Sequence, residues 1–466
     1  MAQISPPSPP EAGSGQPSLK RVMGPGLLLL FIVGDILGTG IYALTGQVAG
    51  EVGGAAWLPF TIAFVVALIT ACSYLELVTK YPEAAGAALY VHKAFGKHAL
   101  TFLVCFAVMC SGITSASAAS RAFAANLATG FGLDAGNGVI LLIAVGFMLL
   151  ILAVNLRGVG ESVKLNVVLT AVELSGLLMV IVLSGYFISG GHADFSRVVA
   201  FETPSDKGVF LAVSAATSLA FFAMVGFEDS VNMAEETKNP TRIFPRMMFA
   251  GIGITGVIYV LVSICAVAVV PVGQLAASET PLVTVVQTAA PGVPIASLLP
   301  FISMFAVANS ALINMLMASR LLYGMSKQGV LPPFLSAVHA TRRTPHAAIL
   351  FTTVIAIGLI TFVSLVPDSP VVALLGGTTS LLLLAVFAAV NVAVLVLRRD
   401  VTGAEHFNAG RVLPVVGTVT CLYLVLPWSS GRPAGQYEIA GILLVIGVIL
   451  WAASWSSARR RAARRP

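Results

Sequence analysis

Charge is what this sequence has little of. Asp, Glu, Lys and Arg make up 10 % of its 466 residues, against 57 % hydrophobic residues. A soluble domain carries about 25 % charged residues, so this chain has too little polar surface to coat a water-soluble fold. Histidine is scarce too. The six histidines fall in polar connections and none forms an HExxH pair, so no metal site is expected. The five cysteines, Cys72, Cys105, Cys110, Cys265 and Cys421, lie inside apolar runs without a CxxC pair. They read as small buried hydrophobes, and no disulfide is expected. A G-x-x-x-x-G-K-[ST] loop and a G-x-S-x-G elbow are both missing, so nothing points to nucleotide-driven pumping, to hydrolase chemistry or to a cofactor. Gly251-Ile252-Gly253-Ile254-Thr255-Gly256 matches G-x-G-x-x-G, but it follows no strand and lies in an apolar run. Small residues there serve helix packing rather than a dinucleotide.

A net charge of +6 raises nucleic-acid binding, and the distribution of that charge excludes it. Basic residues sit at the ends of apolar segments, not on one domain. The densest cluster, Arg459, Arg460, Arg461, Arg464 and Arg465, fits either anionic lipid heads or a bare topology signal. Residues 1–24, with Ser5-Pro6-Pro7-Ser8-Pro9-Pro10, have the composition of a disordered tail. They do not read as a signal peptide, because Lys20 and Arg21 come late and the apolar stretch that follows is long.

What is abundant is long apolar runs. Those of about 20 residues can cross a bilayer as helices that satisfy their own backbone hydrogen bonds. Twelve are expected, at roughly 25–48, 57–79, 98–128, 138–155, 164–188, 208–236, 246–270, 296–325, 347–365, 371–397, 412–428 and 437–456. With the N-terminus in the cytoplasm, 22 Lys and Arg residues fall inside. Only Arg197, Lys207 and Arg432 fall outside, and Arg121 lies within span 3. That asymmetry supports the orientation and an even number of spans, with both termini cytoplasmic.

Two spans are interrupted by glycine. Span 1 reads Val33-Gly34-Asp35-Ile36-Leu37-Gly38-Thr39-Gly40-Ile41-Tyr42, and span 6 reads Phe221-Phe222-Ala223-Met224-Val225-Gly226-Phe227-Glu228-Asp229. Glycine costs about 1 kcal/mol relative to Ala in a helix interior, so both sites are prone to unwind. Five spans separate them, as an inverted 5+5 repeat requires, and freed backbone groups at such breaks can bind a solute. Asp35 in span 1, Glu173 in span 5, Glu228 and Asp229 in span 6 and Arg121 in span 3 are charges within apolar runs. An acid at mid-bilayer costs about 2.5–3.5 kcal/mol on the insertion scale, so it faces a cavity or a partner. Asp35 and Glu173 are candidates for proton coupling, or for static carboxyls that fix helix register. Arg121 fits pairing with an outer acid or snorkelling.

Four motifs in order resemble the amino acid–polyamine–organocation permeases, especially bacterial relatives of cationic amino acid transporters. They are Gly34-Asp35-Ile36-Leu37-Gly38-Thr39-Gly40-Ile41-Tyr42; Tyr81-Pro82-Glu83-Ala84-Ala85-Gly86-Ala87 with Lys93-Ala94-Phe95-Gly96; Gly226-Phe227-Glu228 with Ala234-Glu235-Glu236-Thr237-Lys238-Asn239-Pro240; and Ala318-Ser319-Arg320-Leu321-Leu322-Tyr323-Gly324-Met325. The resemblance covers about residues 20–456. It implies an all-α, leucine-transporter-like fold of twelve transmembrane helices. The two inverted repeats would be 25–188 and 208–397, with accessory helices at 412–456 and a basic cytoplasmic tail at 457–466. It also implies an α-carboxylate held by backbone N–H groups around Gly38, Thr39 and Gly40, as suits an anion at a helix N-terminus. The α-ammonium would meet carbonyls of Ile36, Leu37, Phe222, Ala223 and Val225, beside Gly226 and Glu228, with Phe227 as a lid.

Two residues depart from the family pattern. Asp35 stands where an uncharged residue is expected, and Glu173 where many proton-coupled relatives carry lysine. A proton shared by this pair, or a cation held by both, is the hypothesis they suggest. The expected function is proton-coupled uptake of an amino acid across the plasma membrane by alternating access, with no enzymatic activity. The expected partners are a small-molecule amino acid, protons and the lipid bilayer. An exchanger, an amine or polyamine carrier using Glu228 or Asp229, and a non-transporting sensor are the alternatives. Which amino acid is bound, and the oligomeric state, stay open.

Overall fold

The computed structural model describes residues 23–82, 86–157, 162–203, 208–234, 236–292, 297–327, 331–339, 342, 344–366, 370–400 and 405–462, with the backbone alone for 162–166 and 453–462. Most of the expected N-terminal tail, the last four residues and the motif residues Glu83, Ala84, Ala85 and Glu235 lie outside the described residues.

The chain is helical throughout, with two isolated β-bridges, Met23 to Thr237 and Gly53 to Phe201, among the described residues. In order the helices are α1 (Pro25–Ile36), α2 (Thr39–Val52), α3 (Trp57–Lys80), α4 (Gly86–Phe95), α5 (His98–Gly130), α6 (Asn137–Arg157), α7 (Ser162–Ser189), α8 (Val209–Ala220), α9 (Pro240–Val269), α10 (Val272–Ala277), α11 (Pro281–Ala289), α12 (Leu299–Lys327), α13 (His346–Ser364), α14 (Val371–Leu397), α15 (Val412–Val425), α16 (Pro427–Ser430) and α17 (Ala434–Ala462). Eleven helical segments among the described residues are long and apolar enough to cross a bilayer, counting α1 with α2 as one. The protein is therefore a multi-pass membrane protein.

The eleventh expected span, 412–428, is shorter than its apolar run suggested. Helix α15 has 14 residues, about 21 Å at 1.5 Å per residue, against a hydrocarbon core of about 30 Å. It stops where Leu426 turns extended and Pro427 opens α16. Three further helices were not expected. Helices α4, α10 and α11 are too short for a hydropathy run to reveal.

Helix α5 is the central post. In its most apolar window 72 % of residues are buried, against 28 % in α17. Its Ser111, Gly112, Ser115, Ala116, Ala118 and Ala119 are all buried, and small residues let neighbouring helices approach closely. Helices α12 and α14 pack along it. Large apolar side chains such as Leu142, Leu150, Val182, Val419 and Ile449 point outward, forming the surface that hydrocarbon would cover. All five cysteines are buried and free, as expected. The G-x-G-x-x-G look-alike is a packing seam: a Cβ on Gly251 would stand 2.6 Å from Ile32, and one on Gly256 2.3 Å from the Phe64 ring.

Candidate functional site

Spans 1 and 6 are both broken, and the breaks lie side by side. Helix α1 ends at Ile36, and Leu37 is extended with its N–H donated to the Val33 carbonyl at 2.8 Å. Gly38 has φ +154°, and α2 starts afresh at Thr39 without a side-chain cap. In span 6, α8 ends at Ala220. A 3₁₀ turn covers Phe221–Met224, Val225 is extended, and a second 3₁₀ turn covers Asp229–Met233. Gly226 between them has φ +126°, a conformation that costs any other residue about 1–3 kcal/mol.

Glycine is also required sterically. A Cβ on Gly226 would lie 2.5 Å from the Asp35 carbonyl oxygen, and one on Gly40 2.4 Å from the Ala223 Cα. The two breaks thus touch backbone to backbone at two points.

Neighbouring helices hold this arrangement. The Tyr259 hydroxyl of α9 donates to the Ile36 carbonyl at 2.7 Å, taking up one of the carbonyls left free where α1 stops. The Tyr42 hydroxyl of α2 donates to the Glu173 backbone carbonyl of α7 at 2.7 Å. The Gly226 N–H donates to Glu228 Oε2 at 2.9 Å, so that carboxylate serves the break itself.

The breaks enclose a cavity with about 360 Å³ of empty space, including its mouth. Of the residues expected at the site, Asp35, Ile36, Leu37, Gly38, Thr39, Gly40, Phe222, Val225 and Gly226 line it. Ala223 lies beneath Gly40. Phe227 does not stand over the cavity as the resemblance implied. It is fully buried in an aromatic cluster, 5.8 Å from Tyr74 and 5.4 Å from Phe387 between ring centroids, and the aromatic residue on the cavity wall is Phe222. Glu228 faces a second cavity, which shares only Asp229 with the first. Glu173 lines neither.

Three lining residues escaped the sequence reading: Ser115 of α5, and Ser310 and Asn314 of α12. The last two are four apart and share a helix face. A polar pair at that spacing inside an apolar span was the signal available.

Unpartnered polar atoms gather here as well. Asp35 Oδ2, Thr39 Oγ1 and both carboxyl oxygens of Glu173 are buried without a hydrogen bond among the described residues. Buried polar atoms nearly always find partners; others without one lie elsewhere in the fold, among them Asn155 Oδ1 and Ser184 Oγ. Arg121 resolves to the pairing reading. It donates to Glu279, between α10 and α11, and to Asn137, both at 2.7 Å. Arg432, counted with the outer charges, is buried and donates to the carbonyls of Leu424 and Gly377 and to Gln436.

A many-span helical protein with two facing helix breaks around a central cavity is built as a membrane transporter rather than an enzyme. The chain belongs to the amino acid permease family, whose model matches residues 27–451. It is similar to the branched-chain amino acid permease BcaP of Bacillus subtilis strain 168, at 26 % identity over 436 residues, covering 89 % of this chain and 90 % of that protein. It is 27 % identical over 445 residues to the methylthioribose transporter of the same organism, again covering 89 % and 90 %. The vacuolar cationic amino acid transporter 4 of Arabidopsis thaliana is 30 % identical over 383 residues, 78 % of this chain and 61 % of that protein.

Proposed function

We propose that this protein is a secondary active amino acid transporter, working by alternating access and coupling uptake across the plasma membrane to protons. The facing breaks carry the reading. The first turn of α2 presents N–H groups that no preceding residue caps, and a helix N-terminus favours an anion such as an α-carboxylate. The end of α1 and the 3₁₀ turn of span 6 present carbonyls of the opposite polarity, suited to an α-ammonium. Ile36 can serve although Tyr259 already bonds it, because a carbonyl oxygen has two lone pairs. One zwitterion thereby satisfies both broken ends.

Asp35 and Glu173 are the proposed proton carriers. Their unpartnered, buried oxygens make the neutral and charged forms differ in their demand on the surroundings, which is what a coupling site needs. With both termini in the cytoplasm, the Arg121–Glu279 pair falls on the outer side, where it ties α5 to the connection between α10 and α11.

Uptake of a panel of labelled amino acids by proteoliposomes, with and without an imposed pH gradient, tests the reading. Gradient-driven accumulation of at least one amino acid is expected. Binding without uptake would favour the sensor reading instead. Glu173→Gln should leave binding measurable and remove the response to the gradient. Unaltered gradient-driven uptake in that variant would exclude Glu173.

A further inference from the structure

Arg432 has an uncommon setting for a positive charge. It lies in the turn between α16 and α17 and is only 7 % exposed, yet no acid among the described residues pairs with it. A buried charge is costly unless its donors are met, and here oxygen dipoles meet them. Nε donates to the Leu424 carbonyl at 2.8 Å, and Nη1 donates to the Gly377 carbonyl at 2.7 Å and to Gln436 Oε1 at 2.8 Å. Nη2 stands 3.5 Å from the Ser218 carbonyl. Leu424 is in the last turn of α15 and Ser218 in the last turn of α8. Carbonyls at such ends lack helical partners and favour a cation.

This contact leads to the wall of the first cavity. Ser218 stands one helical turn before Phe222, the aromatic residue of that wall. On α14, the residue beside Gly377 is Gly376, and a Cβ there would stand 3.1 Å from the Phe222 ring. The ring therefore leans on bare α14 backbone. The Ser380 hydroxyl lies 2.7 Å from the Ser218 carbonyl and 2.9 Å from the Gly377 carbonyl, and Arg432 reaches the same two oxygens. Helices α8 and α14 are thus joined twice at one point, beside both supports of Phe222. The turn that carries Arg432 is itself pressed on α8, since a Cβ on Gly431 would stand 2.8 Å from the Leu211 carbonyl oxygen.

Resting on the transporter reading above, we propose that Arg432 is a positioning residue for transport. It holds the last turn of α8 against α14, and so sets where Phe222 stands on the cavity wall and how tightly the solute is bound. The turn before α17 thereby acts on a site built by spans 1 and 6.

KM and kcat are measured in proteoliposomes for the best substrate of the amino acid panel. Equilibrium binding in detergent supplies Kd for any variant too slow to assay by uptake. Arg432→Gln frees the wall and weakens binding, so KM should rise about fivefold while kcat stays within about twofold. An arginine that only kept the protein folded would change the active fraction, and hence kcat, and leave KM alone. Arg432→Lys keeps the charge but loses the rigid fork, so it should fold and raise KM about threefold. It carries the test if the glutamine variant does not fold. The cycle with Phe222→Ala decides between direct and mediated action. Without the ring, neither substitution at 432 should change KM or Kd by more than about 1.5-fold. The same rise with and without the ring overturns the proposal, as does an unchanged KM in both variants. Either result leaves the transporter reading standing. That reading fails if the wild type neither binds nor accumulates any amino acid of the panel, and the proposal falls with it.

Discussion

Replacing Gly226 with alanine is the most direct test of the contact between spans 1 and 6. The added methyl would stand 2.5 Å and 2.6 Å from the carbonyl oxygen and carbon of Asp35, and 2.9 Å from the Ile36 nitrogen. All three are backbone atoms, so no side-chain rotation relieves the clash. Overpacking of this kind costs about 1–3 kcal/mol, and a non-glycine residue at this φ adds about 1–3 kcal/mol. Together that is about 2–6 kcal/mol, or at least 25-fold at about 1.4 kcal/mol per factor of ten. The cost falls on the arrangement in which the breaks touch. Uptake efficiency, kcat/KM for the best substrate in the panel, should therefore drop at least 25-fold. Gly253→Ala is the control. It lies in α9, and its new Cβ would meet nothing within 4 Å, so it should leave transport unchanged and gain up to about 1 kcal/mol of helix stability. A Gly226→Ala protein that transports within threefold of wild type would refute the reasoning, because the two breaks would then not need to meet.

Two further perturbations test the supporting structure. Arg398 Nε and Nη2 donate to the two oxygens of Glu76, at 2.9 and 2.7 Å, and Glu76 also accepts the Ala409 N–H at 2.9 Å. Removing one partner of a buried pair costs about 3 kcal/mol, so Glu76→Gln should lower the unfolding midpoint in detergent, and an unchanged midpoint would show the pair to be dispensable. Burial, together with the hydrogen bond to Asp400, holds the Tyr81 phenol above its ordinary pKa. Its protonated form is thus favoured by folding. That stability is fully present below the unfolded value of about 10 and is lost as pH rises past it. Tyr81→Phe should flatten the loss of thermal stability above pH ~10, and an identical alkaline profile in the variant would contradict the linkage.

The spans and the two breaks were legible because both depend on composition. An apolar run declares a membrane helix, and Gly38, Gly40 and Gly226 declare a place where a helix cannot hold. Other features depend on which way a residue faces, and that is settled by packing. Glu228 and Asp229 are neighbours, yet in the unwound segment one turns to the second cavity while the other borders both. Phe227 turned from an expected lid into a buried packing residue because Tyr74 and Phe387 offered it an aromatic nest. Ser115, Ser310 and Asn314 look like ordinary small residues until α5 and α12 are laid together. Arg432 counted toward the outer charge, and its burial depends on a carbonyl of α14 that lies 55 residues away in sequence as well as on Leu424 nearby.

The bridge between Met23 and Thr237 bears on how the halves of this machine can travel. Met23 donates its N–H to the Glu236 carbonyl and accepts the Lys238 N–H, each at 3.0 Å. The entry to α1 and the segment leaving span 6 are therefore joined at the end of α1 away from its break. In the transport cycle proposed above, the first half of one helix would swing with the tail of the other unless these two backbone hydrogen bonds were given up. Paired in this way, the two half-helices would move in the proposed cycle as a single lever with its fulcrum at the glycines.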